Sequence, residues 1–110
     1  MKKKNRVRKA QEFQELVHKG NKFVNSYFVL YTMDKKEQQA RIGVSLSKKL
    51  GIAVMRNLYK RQVRMMCQDL VDFKCAEKDA VVIVRFGYLN QSYETNKNNL
   101  EKLFIKATMM

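Results

Sequence analysis

The sequence predicts an α+β fold in which helices pack on a single sheet, and three observations carry that expectation. Residues 53–71 place apolar side chains with a helical period, residues 41–46 alternate apolar and polar, and Val81-Val82-Ile83-Val84 is an unbroken apolar run. Helices and strands interleaved within 110 residues leave room for one modest core. The expected architecture is a two-layer sandwich with element order α-β-β-α-β-α.

In chain order, residues 1–9 read as a flexible basic arm. Residues 10–19 form a short helix with Phe13, Leu16 and Val17 on one side and Gly20 placed to end it. Tyr27 to Met33 is rich in aromatic and β-branched residues and reads as a strand, with Tyr27 and Tyr31 on one face. After the polar turn Asp34-Lys35-Lys36-Glu37, the alternation of Arg41 to Leu46 gives a half-buried strand, expected to pair with its predecessor as a hairpin. A helix follows from about Ala53 to Val71, with Val54, Met55, Leu58, Tyr59, Val63, Met65, Met66 and Leu70 facing a core. Asp79 to Phe86 is a strand covered on both faces, and Ser92 is placed to cap a last helix over residues 93–107. No proline, repeat or low-complexity tract divides the chain, so residues 1–110 are expected to form one domain.

Charge narrows the function. A net charge of +13 describes partners rather than fold, with nucleic acid first and an anionic membrane surface second. No apolar run approaches the roughly 20 residues that span a bilayer, and the basic N-terminus is not followed by the apolar stretch of a secretory signal. Cys67, Cys75 and His18 lack zinc-ligand spacing, so no metal site is expected and free cytosolic thiols are the default. The seven methionines read as core filler.

The most informative segment lies between Glu37 and Asp69, where 31 residues contain seven Lys or Arg and no carboxylate. Arg56, Asn57, Lys60, Arg61 and Arg64 share one helical stripe roughly 140° wide. Any surface helix can be basic, but three details go further. Arg56 stands in the first turn, where the macrodipole disfavours cations. Arg56/Lys60 and Lys60/Arg64 are like-charge pairs four residues apart. Lys48 and Lys49 in the preceding loop add to the same end. Helix stability explains none of these choices, whereas phosphate binding explains all of them.

The stretch Arg41 to Arg64 resembles the bacterial ribonuclease P protein family. It carries that family's R-N-x-x-K-R-x-x-R motif as Arg56-Asn57-Leu58-Tyr59-Lys60-Arg61-Gln62-Val63-Arg64, after an S-K-K-x-G loop at Ser47-Lys48-Lys49-Leu50-Gly51. The likeness extends upstream through Phe13, Lys19-Gly20 and Phe28-Val29-Leu30-Tyr31, and downstream through Asp79 to Arg85 and the final helix. Four positions depart from the family pattern: Ile52 replaces a polar residue, Leu58 a basic one and Val17 an aromatic one, and Gly87 stands where the family has proline.

The resemblance implies a fold like the second domain of ribosomal protein S5, with a left-handed βαβ crossover. It implies an endoribonuclease holoenzyme that removes the 5′ leader of precursor tRNA, with Mg2+ held mainly by a catalytic RNA and no catalytic residue on this chain. Lys48, Lys49, Arg56, Asn57, Lys60, Arg61 and Arg64 would contact that RNA. Phe13, Val17, Tyr31 and Arg85 would line a cleft for the single-stranded leader, a core position being the competing reading for Phe13. The expected partners are the catalytic RNA and precursor tRNA, with no membrane; the protein alone is expected to be a cytoplasmic monomer. Two rivals share the charge: a ribosomal-type RNA-binding module and a DNA-binding regulator. The second would have only Asn57 to read bases.

Overall fold

The computed structural model describes residues 1–110. Helix α1 (Ala10–Lys19) ends where the Gly20 N–H donates to the Leu16 carbonyl, and the chain passes into a short strand, β1 (Asn21–Val24). Asn25 then turns it: its Oδ1 accepts from the backbone N–H groups of Tyr27 and Phe28, each at 2.8 Å. The return strand is β2 (Phe28–Asp34). Next come β3 (Ile42–Leu46), helix α2 (Ala53–Leu70), β4 (Lys78–Val84) and α3 (Tyr93–Lys106), the last capped by Ser92 Oγ accepting from the Thr95 N–H. Short 3₁₀ turns cover Lys3–Asn5, Lys48–Leu50 and Phe86–Asn90.

The α+β class stands, with three helices on one four-stranded sheet of order β1-β2-β4-β3. The six expected elements occur in the expected order, and β1 is an addition. Its four residues follow a glycine and include two polar ones, too short a run to show period-2 alternation. The expected hairpin between β2 and β3 does not form. β4 lies between them, antiparallel to β2 and parallel to β3, with Leu30 and Val44 both opposite Val82. The hairpin is instead β1–β2, while β3 and β4 are parallel neighbours joined through α2, as a βαβ unit requires. Central placement explains the unbroken apolar run of β4, which is covered on both faces.

Side chains alternate across the sheet. Phe28 and Leu30 of β2, Ile42 and Val44 of β3, and Ala80, Val82 and Val84 of β4 face α2 and α3 in a cluster of 20 buried residues. The opposite face meets α1, where Val7, Leu16 and Val81 form a cluster of only three, flanked by Phe13, Met33 and Ile83. Thus α1 adds a short element over part of the sandwich's second face. Arg41 ties it down, its guanidinium meeting Glu12 of α1 and, at 3.2 Å, buried Asp79.

Three further expectations change. Val54, Met55, Leu58 and Met65 are exposed rather than core-facing; α2 enters the core only through Val63, Met66 and Cys67, with Tyr59 and Leu70 half-buried. At 1.5 Å per residue the helix is roughly 27 Å long, and its first turns run past the sheet that would cover them. Tyr27 falls before β2 and packs against the large core instead of sharing a face with Tyr31. The basic arm is also not free of the body. Asn5 is buried, with Nδ2 donating to Gln39 Oε1 at 3.0 Å and to the Ala40 carbonyl at 3.1 Å, and Val7 fills the smaller cluster. Apolar and amide anchors interspersed among lysines hold residues 5–7 down. No helix is long and apolar enough to cross a membrane.

Candidate nucleic-acid interface

The helix surface is built from the loop inward. Ser47 Oγ accepts from the Lys49 N–H at 3.2 Å, closing a 3₁₀ turn that leaves Lys48 and Lys49 exposed while Leu50 is buried. Gly51 follows at φ 136°, in the region that favours glycine, and redirects the chain into α2. Ile52 stands at the helix N-cap with no side-chain cap, as its departure from the family pattern implies. Arg56 compensates locally by donating from Nε to the Gly51 carbonyl at 3.1 Å. Its remaining guanidinium donors stay available.

Asn57, Lys60, Arg61 and Arg64 line one groove of about 450 Å³, which Arg56, Lys48 and Lys49 do not enter. The five ion pairs of the molecule are Lys36–Glu15, Arg41–Glu12, Arg41–Asp79, Lys78–Asp34 and Lys97–Asp69. None involves a cation of this helix surface. Asp69, the one carboxylate on α2, lies five residues beyond Arg64 and is engaged by Lys97 at 3.1 Å. Burial, and then the neighbouring charge of Arg6, hold Arg64 below arginine's ordinary value. The surface is therefore cationic without internal compensation, and it repels itself until an anion arrives.

The second surface lies across the sheet from α2. Strand register aligns Lys22, Tyr31, Val81 and Gly43 in one row spanning all four strands. Tyr31 is half-buried and Lys22 Nζ lies 5.9 Å from its ring centroid. At the other end the Phe13 ring rests on Gly43: a Cβ there would stand 2.4 Å from Phe13 Cζ. Phe13 is half-buried beside Val81 and Leu16, so part of its ring is used in packing and part remains accessible. Val81 separates Phe13's floor from Tyr31, with adjacent strands roughly 4.8 Å apart. Val17 is half-buried on α1. Arg85, just past β4, is exposed, and its Nη1 donates to the Asn25 carbonyl at 2.6 Å, bracing the β1–β2 turn.

The structure thus gathers four of the seven expected helix-surface residues in one groove and sets Phe13 and Tyr31 on one sheet face. It gives Arg85 a structural partner that sequence could not show. Two cations escaped the sequence reading. Lys22 lies in β1, too short to show a period, and Arg6 in a lysine-rich segment whose composition gives no sign of its seating. No group of three His, Cys, Asp or Glu side chains is placed to hold a metal ion.

A family model described as Ribonuclease P matches residues 1–108. A ribonuclease P protein component from Bacillus cereus (strain B4264) is 44% identical over 110 residues, covering 99% of this chain and 96% of that protein. Among solved structures, the Staphylococcus aureus RNase P protein superimposes with a TM-score of 0.84 at 34% identity, covering 96% of each chain. The Thermotoga maritima RNase P protein gives 0.76 at 26% identity, covering 89% of this chain and 93% of that one.

Proposed function

We propose, from the premise that the chain belongs to the ribonuclease P protein component family, that it binds a catalytic RNA through α2 and a precursor-tRNA leader through the α1–sheet cleft. In that reading it is the accessory protein of an endoribonuclease that frees the tRNA 5′ end. The observation that carries the proposal is the uncompensated row of cations on α2. Arginine forks and lysine ammoniums there gain charge-assisted bonds to phosphate that no carboxylate of the chain contests. Across the sheet, Phe13 on Gly43 and, two strands away, Tyr31 beside Lys22 offer single-stranded bases two ring faces and a backbone cation, the combination that holds single strands without reading sequence. Val17 adds aliphatic surface to the same wall.

Metal chemistry belongs elsewhere in the assembly. Mg2+ is the expected cofactor of the reaction, and the donor set of this chain does not fit it, since its carboxylates are scattered or paired with cations. The protein's own contribution is then positional and electrostatic. It fixes the leader and lowers phosphate repulsion where two RNAs meet, which would reduce the Mg2+ needed for cleavage. The protein alone is a monomer, and its place of work is the cytoplasm.

Reconstitution tests this directly. The purified chain, mixed with the ribonuclease P RNA of its own genome, should permit cleavage of leader-bearing precursor tRNA at Mg2+ concentrations where the RNA alone is slow. The variant Arg56→Ala/Lys60→Ala/Arg61→Ala should lose that effect and flatten the salt dependence of RNA binding. Unchanged affinity and salt slope in the triple variant would remove α2 from the interface.

A further inference from the structure

The N-terminal segment delivers a guanidinium into the groove of α2. Residues 6 and 7 run along the free edge of β3, Arg6 pairing in parallel with Ile42 and the Val7 N–H donating to the Ile42 carbonyl at 3.3 Å. Extended backbone alternates its side chains. Val7 therefore drops into the cluster under α1, and Arg6 points the other way, into the groove formed by Asn57, Lys60, Arg61 and Arg64. Buried Asn5, bonded to Gln39 and Ala40, fixes the register of this placement.

The groove has two unmet donors. The Nε atoms of Arg6 and Arg64 are both buried and neither has a hydrogen-bond partner. One nitrogen of Arg6, Nη2, is satisfied by the Met1 carbonyl at 2.9 Å. No carboxylate lines the groove, so two guanidiniums from different elements face the same space with nothing to neutralise them. Buried donors of this kind are costly to leave unpaired, and guanidinium forks match the oxygens of a phosphate. Arg6 also lines a neighbouring, larger groove of about 700 Å³ on the α1 side, where Lys3, Lys4, Arg8 and Lys9 stand with Glu12, Glu15 and Glu37. It is the residue common to both grooves.

We propose that Arg6 and Arg64 together grip one backbone phosphate of the RNA bound on α2, making the seated N-terminal segment part of the RNA-binding surface. The proposal rests on the reading of α2 as an RNA-binding helix and adds a residue outside its motif. Its geometry extends the carboxylate-free surface of the α2 groove to the β3 edge, where Arg6 is seated.

Binding of the cognate ribonuclease P RNA, titrated over a range of salt, tests the grip. Arg6→Ala should weaken binding roughly tenfold, and because Arg64 still holds the phosphate the logarithmic salt slope should fall by less than the roughly 0.7–0.9 of one phosphate wholly released. Because the phosphate is shared, Arg6→Ala/Arg64→Ala should bind more tightly than the product of the two single losses allows. Arg6→Lys should restore the slope but only part of the affinity. Should Arg6→Ala fail to fold, Arg6→Gln, which keeps the aliphatic stem and a polar tip without the charge, replaces it. Wild-type affinity and slope in Arg6→Ala, with the Arg56/Lys60/Arg61 variant still weakened, would overturn the grip and leave α2 standing. Strictly multiplicative losses would mean two separate phosphates and overturn the sharing. Full rescue by lysine would overturn the fork geometry. No loss in either the triple variant or Arg6→Ala would remove both readings together.

Discussion

The two faces of the sheet come from the same strands and are used in opposite ways. Toward α2 and α3, alternate residues of β2, β3 and β4 join a cluster of 20 buried side chains, including Phe28, Leu30, Val82, Leu100 and Phe104. Toward α1 the buried cluster has three members, and the aromatic side chains there, Phe13 and Tyr31, are half exposed. One face carries the stability. The other is only partly roofed, which keeps ring surface available at little cost because the first face already closes the fold. A small domain can leave a sheet face incomplete only when the remaining face buries enough.

The largest effect expected from this contrast is a crossed pair of substitutions. Phe104→Ala removes a fully buried ring from the large cluster and should cost about 3–5 kcal/mol of folding stability, much of what a domain this size possesses. Affinity for a single-stranded leader should be unchanged at temperatures where the variant remains folded. Tyr31→Ala should do the reverse, costing about 1 kcal/mol or less in stability while losing about 1–3 kcal/mol of leader affinity. Denaturant unfolding and leader titration on both variants would decide it. Equal stability losses would erase the division of labour between the faces.

A smaller effect sharpens the contrast at a single atom. Gly43 is the floor under Phe13, and a methyl group there would collide with the ring at 2.4 Å from Cζ. Gly43→Ala should displace Phe13 and cost about 1–3 kcal/mol, the usual range for overpacking, while the α2–α3 face keeps its packing. Leader affinity should fall and binding of the catalytic RNA should not. If Phe13→Ala/Gly43→Ala recovered the stability lost by Gly43→Ala alone, the collision would be its source.

Legibility from the sequence follows the same boundary between local and distant causes. The basic stripe of α2 could be read because charge along one helix depends only on nearby residues, and the structure leaves those cations without acids. The both-faces-covered character of β4 was visible in its apolar run. The expected β2–β3 hairpin fails because adjacency in sequence says nothing of β4 inserting between them. The seating of the N-terminal segment was hidden for a related reason: Asn5 finds its partners 34 and 35 residues away. The apolar positions of the first turns of α2 obeyed the helical period and still lie in solvent, since period fixes a face but not what stands opposite it. Phe13 and Tyr31 were named through family resemblance. Their alignment across Gly43 and Val81 needed the register.

The weakest lever on the comparison is the tether that holds α1 over the open face. Glu12 meets Arg41, whose guanidinium also reaches Asp79, and this contact holds the Glu12 carboxyl below its usual range. The hydrogen bond to Arg41 is the main cause, with Coulombic attraction to Arg41, Lys9 and Lys36 adding to it and partial burial opposing. A carboxylate depressed in the folded state contributes stability that is complete at neutral pH and disappears as pH falls through its folded value. Glu12→Gln removes that titration. Its stability at pH 7 should drop by about 1 kcal/mol or less, as for a partly exposed pair, and the gap from wild type should close as pH falls toward 3. Lys97–Asp69 and Lys78–Asp34 are untouched by this substitution, so the closing gap belongs to the Glu12 tether of α1. Melting curves that stay parallel from pH 7 to pH 3 would mean that packing by Leu16 and Phe13, not the ion pair, keeps α1 on the sheet.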